Sequence, residues 1–261
     1  MGRASLWYFI DSALVLYFSR IEIITSALEV RSMSGSALLA IDTATPTISL
    51  ALHDGQTLLG EHTWTGSENP TVDLAPAALE LLARAGFTIH QLSALAVSIG
   101  PGTYADLRVG IAFAKGLAAG RGLPLVGVTT LDTIAAAQPH YQGSLIVTLR
   151  AGRGRIIVGR YQWKKGHWGS RGEPQLMDWP TLLASIDGTA YISGEIDEDG
   201  YAALNNAQTN EIPVSLIPPA YRLRRAGFLA EEAWSRLNSG GNHDFSAAKL
   251  QPIYLKPSEP T

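Results

Sequence analysis

Ser98–Gly127, SIGPGTYADLRVGIAFAKGLAAGRGLPLVG, is the stretch whose reading decides the fold. The apolar run LSALAVSI (Leu92–Ile99) stops at Gly100-Pro101-Gly102, a segment rich in alanine and glycine follows, and LPLVGV (Leu123–Val128) closes the block. This is strand, tight turn, helix, strand. Pro101 fixes φ at one turn position, while the flanking glycines take backbone angles that a Cβ would forbid. Thr103 or Asp106 is expected to accept from the free N–H groups of the first helical turn. Leu107, Ile111, Ala114 and Ala118 recur at helical spacing. A glycine-rich strand-to-helix turn aims backbone donors past the strand end, where it either holds an anion or only joins two elements.

Upstream, ALLAID (Ala37–Asp42), TISLAL (Thr47–Leu52) and TLLGEH (Thr57–His62) read as three short strands, with an Asp-Gly hairpin signal in His53-Asp54-Gly55-Gln56. A helix is expected over 71–85, its stripe Leu74, Ala78, Leu81 and Leu82, closed by Gly86. TTLDTIAAAQ begins another helix with Thr130 as its cap. The second half starts like the first. SLIVTL (Ser144–Leu149), a turn, and IIVGRYQW (Ile156–Trp163) form a hairpin, and a third strand is expected near Gly169–Gln175. A short helix around Pro180–Ile186, strands YISG (Tyr191–Gly194) and VSLI (Val214–Ile217), and a helix over 225–238 follow. Two βββαβα-like halves imply a duplicated, actin-like (ASKHA) two-lobe α/β fold, with mixed sheets flanked by helices and a cleft between the lobes. The first lobe is drawn over 37–139 and the second over 140–261, with the 225–238 helix a candidate to return to the first.

The 261-residue chain has 46% hydrophobic and 16% charged residues, the profile of an ordered, packed protein. A net charge of -3 and a pI near 6.1 argue against nucleic-acid binding driven by bulk charge. Without cysteine there are no disulfides, thiolate metal sites or cysteine nucleophiles. Residues 1–32 include LWYFIDSALVLYFSRIEII, where Asp11, Arg20 and Glu22 interrupt every apolar run, so neither a membrane span nor a signal peptide fits. They read as an upstream extension, with Met33 an alternative start and residues 1–36 outside the fold; a packed amphipathic helix is the other reading. A cytoplasmic location is expected.

AIDTATPTISLAL (Ala40–Leu52), GPGTYADLRVGIAFAKGLAAGRGLPLVGVTTLDTIA (Gly100–Ala135) and the closing PIYLK (Pro252–Lys256) closely resemble the TsaB family, also called YeaZ. The likeness is specific from Leu38 to Ala136 and loose beyond. It implies a non-catalytic dimerisation subunit that pairs with the related TsaD transferase, and works with the ATPase TsaE, to place threonylcarbamoyl on the adenosine beside the tRNA anticodon. A homodimer is the other pairing it leaves open.

The residues also bear on whether the chain is itself a catalyst. TsaD-like enzymes hold a metal with two histidines four apart on the helix after the strand matching LPLVGV; Thr130 and Ile134 stand at those places. None of the six histidines has a partner four residues away. Asn69 and Asp73 are four apart, but an amide and one carboxylate make a poor metal site, so no metal and no cofactor are expected. Actin-like ATPases organise magnesium with an acid after the first strand of each lobe. Asp42 fills the first place and Arg150 the second, and a guanidinium repels magnesium. Asp42, Gly100 and Gly102 thus mark at most a vestigial nucleotide site, with Asp42 alternatively accepting from the Thr43–Thr45 backbone. An actin-like phosphotransferase of the sugar or acetate kinase type is the competing function.

TsaB-like chains tend to read Asp-Ala-Arg-Arg-Gly-Glu where this one reads Arg150-Ala151-Gly152-Arg153-Gly154-Arg155. Arg150, Arg153 and Arg155 are candidate tRNA contacts, or simply a wet hairpin tip. For the partner surface, Leu74, Ala78 and Leu81 on one helix and Leu107, Gly110, Ala114, Gly116, Leu117 and Ala118 on the next would supply half of a four-helix bundle. Gly110, Ala114 and Ala118 form one small-residue ridge of the second helix and Ala112, Gly116 and Ala119 another; the other reading is that these ridges pack on the chain's own sheet.

Overall fold

A computed structural model describes residues 35–66, 70–239 and 244–255. The expected extension over residues 1–32, the Asn69 end of the Asn69–Asp73 pair and the Lys256 end of PIYLK lie outside the described residues.

Five strands make the first sheet: β1 (Ala37–Asp42), β2 (Thr47–His53), β3 (Leu58–Thr65), β4 (Leu92–Ser98) and β5 (Leu125–Val128), in the order β3-β2-β1-β4-β5. β1 pairs antiparallel with β2 and parallel with β4, so it is central and all six of its residues are buried. Its side chains alternate between two cores, which is why it reads as an unbroken apolar run. Leu39 and Ile41 pack on the side of α1 (Pro70–Arg84) and α2 (Tyr104–Arg121), while Leu38 and Ala40 pack against Leu229, Ala230 and Ala233 of α7 (Ala226–Asn238). The last long helix therefore covers the first sheet.

The second sheet repeats the order. β6 (Ser144–Gly152), β7 (Arg155–Lys164), β8 (His167–Ser170), β10 (Ala190–Gly194) and β11 (Val214–Leu216) run β11-β10-β6-β7-β8, with β9 (Gln175–Met177) pairing β7. As in the first sheet, the opening strand has an antiparallel hairpin partner on one side and a parallel strand on the other. One face packs against Leu131 and Ile134 of α3 (Thr130–Ala136); the other packs against α4 (Trp179–Ala184) and α5 (Glu198–Thr209) through Trp179, Leu182 and Leu204. This repeated topology is the duplicated actin-like fold.

The differences from the sequence reading are local. The third strand expected near Gly169–Gln175 is two pieces, β8 and β9, separated by a turn in which Gly172 has φ +97°. α3 is capped by Thr129, whose hydroxyl accepts from the Asp132 amide, and Thr130 is the first helical residue. Thr103 sits at the N-cap of α2, but no side chain closes the cap. α5 and the short α6 (Pro219–Arg222) have no counterpart in the sequence reading.

Candidate functional site

The turn after β4 is glycine-rich because three backbone segments converge on it. The Thr103 amide donates to the Ala44 carbonyl at 2.7 Å, and a Cβ on Gly102 would run into that carbonyl. The Gly100 carbonyl accepts from the Thr130 amide, Gly100 has φ +100°, and a Cβ there would meet the Ile253 carbonyl. The C-terminal segment is held by the Ile253 amide donating to Ile99. On α2, the Thr43 hydroxyl donates to the Asp106 carbonyl at 2.7 Å, and Gly110 leaves the space Thr43 fills. Gly100, Gly102 and Gly110 are thus used within this chain.

Asp42 is fully buried, and both of its oxygens are engaged. Oδ1 accepts from the Ala44 amide at 3.0 Å, the local bond expected of a strand-end carboxylate. Oδ2 accepts from Arg224 Nε at 2.5 Å. Arg224, itself 5% exposed, also donates to the Thr45 hydroxyl and the Thr47 carbonyl. A cation at Asp42 would have to displace a guanidinium satisfied on three sides, against its charge. Asp42 is thereby a structural anchor in this chain, and Gly100 is buried under the C-terminal segment. Of the three expected nucleotide-site residues only Gly102 lines open space. Arg224 was not singled out from sequence; its one signal was the arginine run Arg222-Leu223-Arg224-Arg225.

Thr130 and Ile134, the places matched to metal-binding histidines, are both buried, and Thr130 Oγ1 lies 3.0 Å from Ser98 Oγ. Among the described residues no three His, Cys, Asp or Glu side chains form a metal-sized group. No described helix is long and apolar enough to cross a membrane.

The residues expected at a partner surface divide by face. Leu74, Ala78, Leu81, Leu107, Gly110, Ala114 and Ala118 are buried in this chain's own core, because the stripes that fit a bundle are also the ones that seat α1 and α2 on the sheet. Leu117 is half-buried and Gly116 is exposed. The outward face is a different set: Val72 (67% exposed), Pro76, Leu79 (57% exposed) and Ala83 on α1, and Ala105, Ala112, Gly116 and Ala119 on α2. The spacing is i, i+4, i+7 over Val72, Pro76, Leu79 and over Ala112, Gly116, Ala119, with the exposed Arg108 between Ala105 and Ala112.

Beside the turn, two cavities flank Arg150. One, of about 630 Å³, is lined by Thr45, Gly102, Arg150, Glu195 and Arg222 among others. The second, about 380 Å³, lies between the Pro101–Thr103 turn, the β6–β7 hairpin and the C-terminal segment. Arg150 and Arg155 line the smaller cavity; Arg153, at φ +56° on the exposed tip, lines neither.

Comparison with known proteins matches this architecture. The family model for TsaD, tRNA N6-adenosine threonylcarbamoyltransferase, matches residues 65–190. The tRNA threonylcarbamoyladenosine biosynthesis protein TsaB of Bacillus subtilis is 35% identical over 153 residues, 58% of this chain and 67% of that protein. The Haemophilus influenzae protein of the same name is 36% identical over 239 residues, covering 86% of this chain and 95% of its own length. Among solved structures, YeaZ from Pseudomonas aeruginosa superposes with a TM-score of 0.68 at 25% identity, over 84% of this chain and 100% of that one. Similarity along nearly the whole Haemophilus influenzae protein, on the same two-sheet body, means that the chain belongs to the TsaB (YeaZ) family.

Proposed function

We propose that this chain is a subunit of the machinery that makes threonylcarbamoyladenosine in tRNA, and that it serves as a non-catalytic scaffold pairing with a TsaD-type transferase. A TsaE-type ATPase and the tRNA itself engage through that complex. The pathway follows from the names of the TsaB relatives. The scaffold role is supported by Asp42, which is satisfied by Arg224, and by Thr130 and Ile134, which supply no imidazole.

The observation that carries the pairing is the outward face of α1 and α2, and Gly116 above all. A helix-interior glycine is less favourable than alanine by roughly 1 kcal/mol, and a Cβ on Gly116 would meet nothing among the described residues within 4 Å. Its smoothness is unused internally and suits close approach by another helix. Residues 65–190, which include both helices, match the TsaD model, so a TsaD-type partner brings an equivalent helix pair and the two complete a four-helix bundle.

The test is capture of a TsaD-type protein from the same cell by the purified chain, read by size-exclusion chromatography. Leu79→Glu places a charge on the proposed interface and is expected to weaken the complex by at least about tenfold, as loss of a central apolar contact does. The isolated variant should keep its circular dichroism spectrum, since Leu79 is exposed. An unchanged complex would remove this surface from consideration.

A further inference from the structure

The smaller cavity beside Arg150 has a composition that the partner reading leaves unused. Its walls are Pro101, Gly102 and Thr103 of the turn, Arg150 to Gly152 with Arg155 and Ile157 of the hairpin, Leu176, and Ile253 to Leu255. Its volume, about 380 Å³, lies within the range of small-molecule sites. Among the described residues it is lined by two arginines and no acid. Neither guanidinium has a hydrogen bond or ion pair with another described residue, whereas Arg160, Arg222, Arg224, Arg225 and Arg236 all do. The acid closest in the chain's contacts is Glu195, which accepts from the Arg150 backbone amide and lines the larger neighbouring cavity. The rest of the lining includes Ile157, Leu176, Leu255 and Tyr254, whose ring centroid lies 5.2 Å from that of Tyr104.

We infer that this cavity binds a small phosphorylated compound carrying a flat ring, with the phosphate on Arg150 and Arg155 and the ring against Tyr254, and that it does so without a divalent metal. Paired guanidiniums bind phosphate through forked, charge-assisted hydrogen bonds. The metal is unnecessary because the ligand's charge is met by arginine, and unwelcome because Asp42, the carboxylate that could anchor it, is held by Arg224. A small ligand is favoured over a polynucleotide because Arg153, at the exposed tip of the hairpin, is not part of the lining. The inference is independent of the partner surface, which lies on α1 and α2.

Calorimetric titration of the full chain with adenosine monophosphate and with inorganic pyrophosphate, in EDTA, tests it. Saturable 1:1 binding of both probes is expected. Arg150→Gln and Arg155→Gln should each weaken both at least tenfold, Arg153→Gln less than twofold, and Tyr254→Ala should weaken the nucleotide while sparing pyrophosphate. Binding of neither probe, binding only after magnesium is added, or equal losses from all three arginine variants would overturn the inference. So would an RNA stem-loop that binds the hairpin while adenosine monophosphate does not. TsaD-type partner capture by the same variants, expected to be unchanged, separates failure here from failure of the scaffold reading.

Discussion

Arg224 shows how completely one side chain can commit a strand-end carboxylate. Its guanidinium is spent on Asp42, Thr45 and Thr47, at the end of β1 and the start of β2. With Asp42 at 0% and Arg224 at 5% exposure, the pair depends on mutual compensation. Removing one partner of such a buried pair leaves an uncompensated charge and typically costs about 3–5 kcal/mol, whereas replacing both by apolar groups is far milder. Arg224→Met is therefore expected to destabilise the chain by about that amount. The double variant Arg224→Met with Asp42→Leu should recover most of it, as read from urea denaturation midpoints at constant slope. A double variant as unstable as the single one would mean that Arg224 acts mainly through Thr45 and the Thr47 carbonyl.

At the scale of the element, α2 carries three glycines, of which Gly110 and Gly116 have opposite roles. Gly110 makes room for Thr43, so Gly110→Ala forces a methyl group into an occupied space and is expected to cost about 1–3 kcal/mol. Gly116 faces open space, so Gly116→Ala should raise the stability of the isolated chain by roughly 0.5–1 kcal/mol, while Gly116→Leu should abolish partner capture. Thermal melts of the free chain and size-exclusion of the mixture read the two effects separately. Most of this helix was legible beforehand, because its stripe, its bounds at Tyr104 and Arg121 and the turn before it are all written in adjacent residues. What sequence could not say was which ridge faced inward, since small residues line both. α5 escaped because EDGYAALNNAQT offers only Gly200, Leu204 and Ala207 to the core and is rich in weak helix formers; its one clear sign was Asp197, whose carboxylate caps the Gly200 amide. The Asp42–Arg224 pair was illegible for a different reason, as 182 positions separate its members and no local pattern links them.

At the scale of the molecule, the two sheets are joined through a polar cluster that spans α3, β7 and α7. Tyr161 donates to Asp132 Oδ1 at 3.0 Å, and Arg236 reaches both the Gly127 carbonyl and Asp132 Oδ2. Burial, with the neighbouring Asp132 charge, pushes the Tyr161 phenol far above its ordinary range, so it stays a neutral donor. Glu232 stands on the same cluster beside Arg236, and Asp132 and His167 also act on it. Burial raises its carboxyl above the usual value of 4.5; Arg236 opposes the shift and Asp132 adds to it. The sign follows from which state holds the proton longer. Below about 4.5 both folded and unfolded chains are protonated there, and this group leaves stability unchanged with pH. Above that value the unfolded chain releases its proton first, so folding takes up a proton and stability falls as pH rises, until the folded carboxyl also ionises. Glu232→Gln removes this titration. It is expected to leave the melting temperature unchanged near pH 4, to raise it at pH 7, and to flatten the profile between. A variant that melts lower than the parent at pH 7 would show instead that the Glu232–Arg236 contact outweighs the burial of the charge.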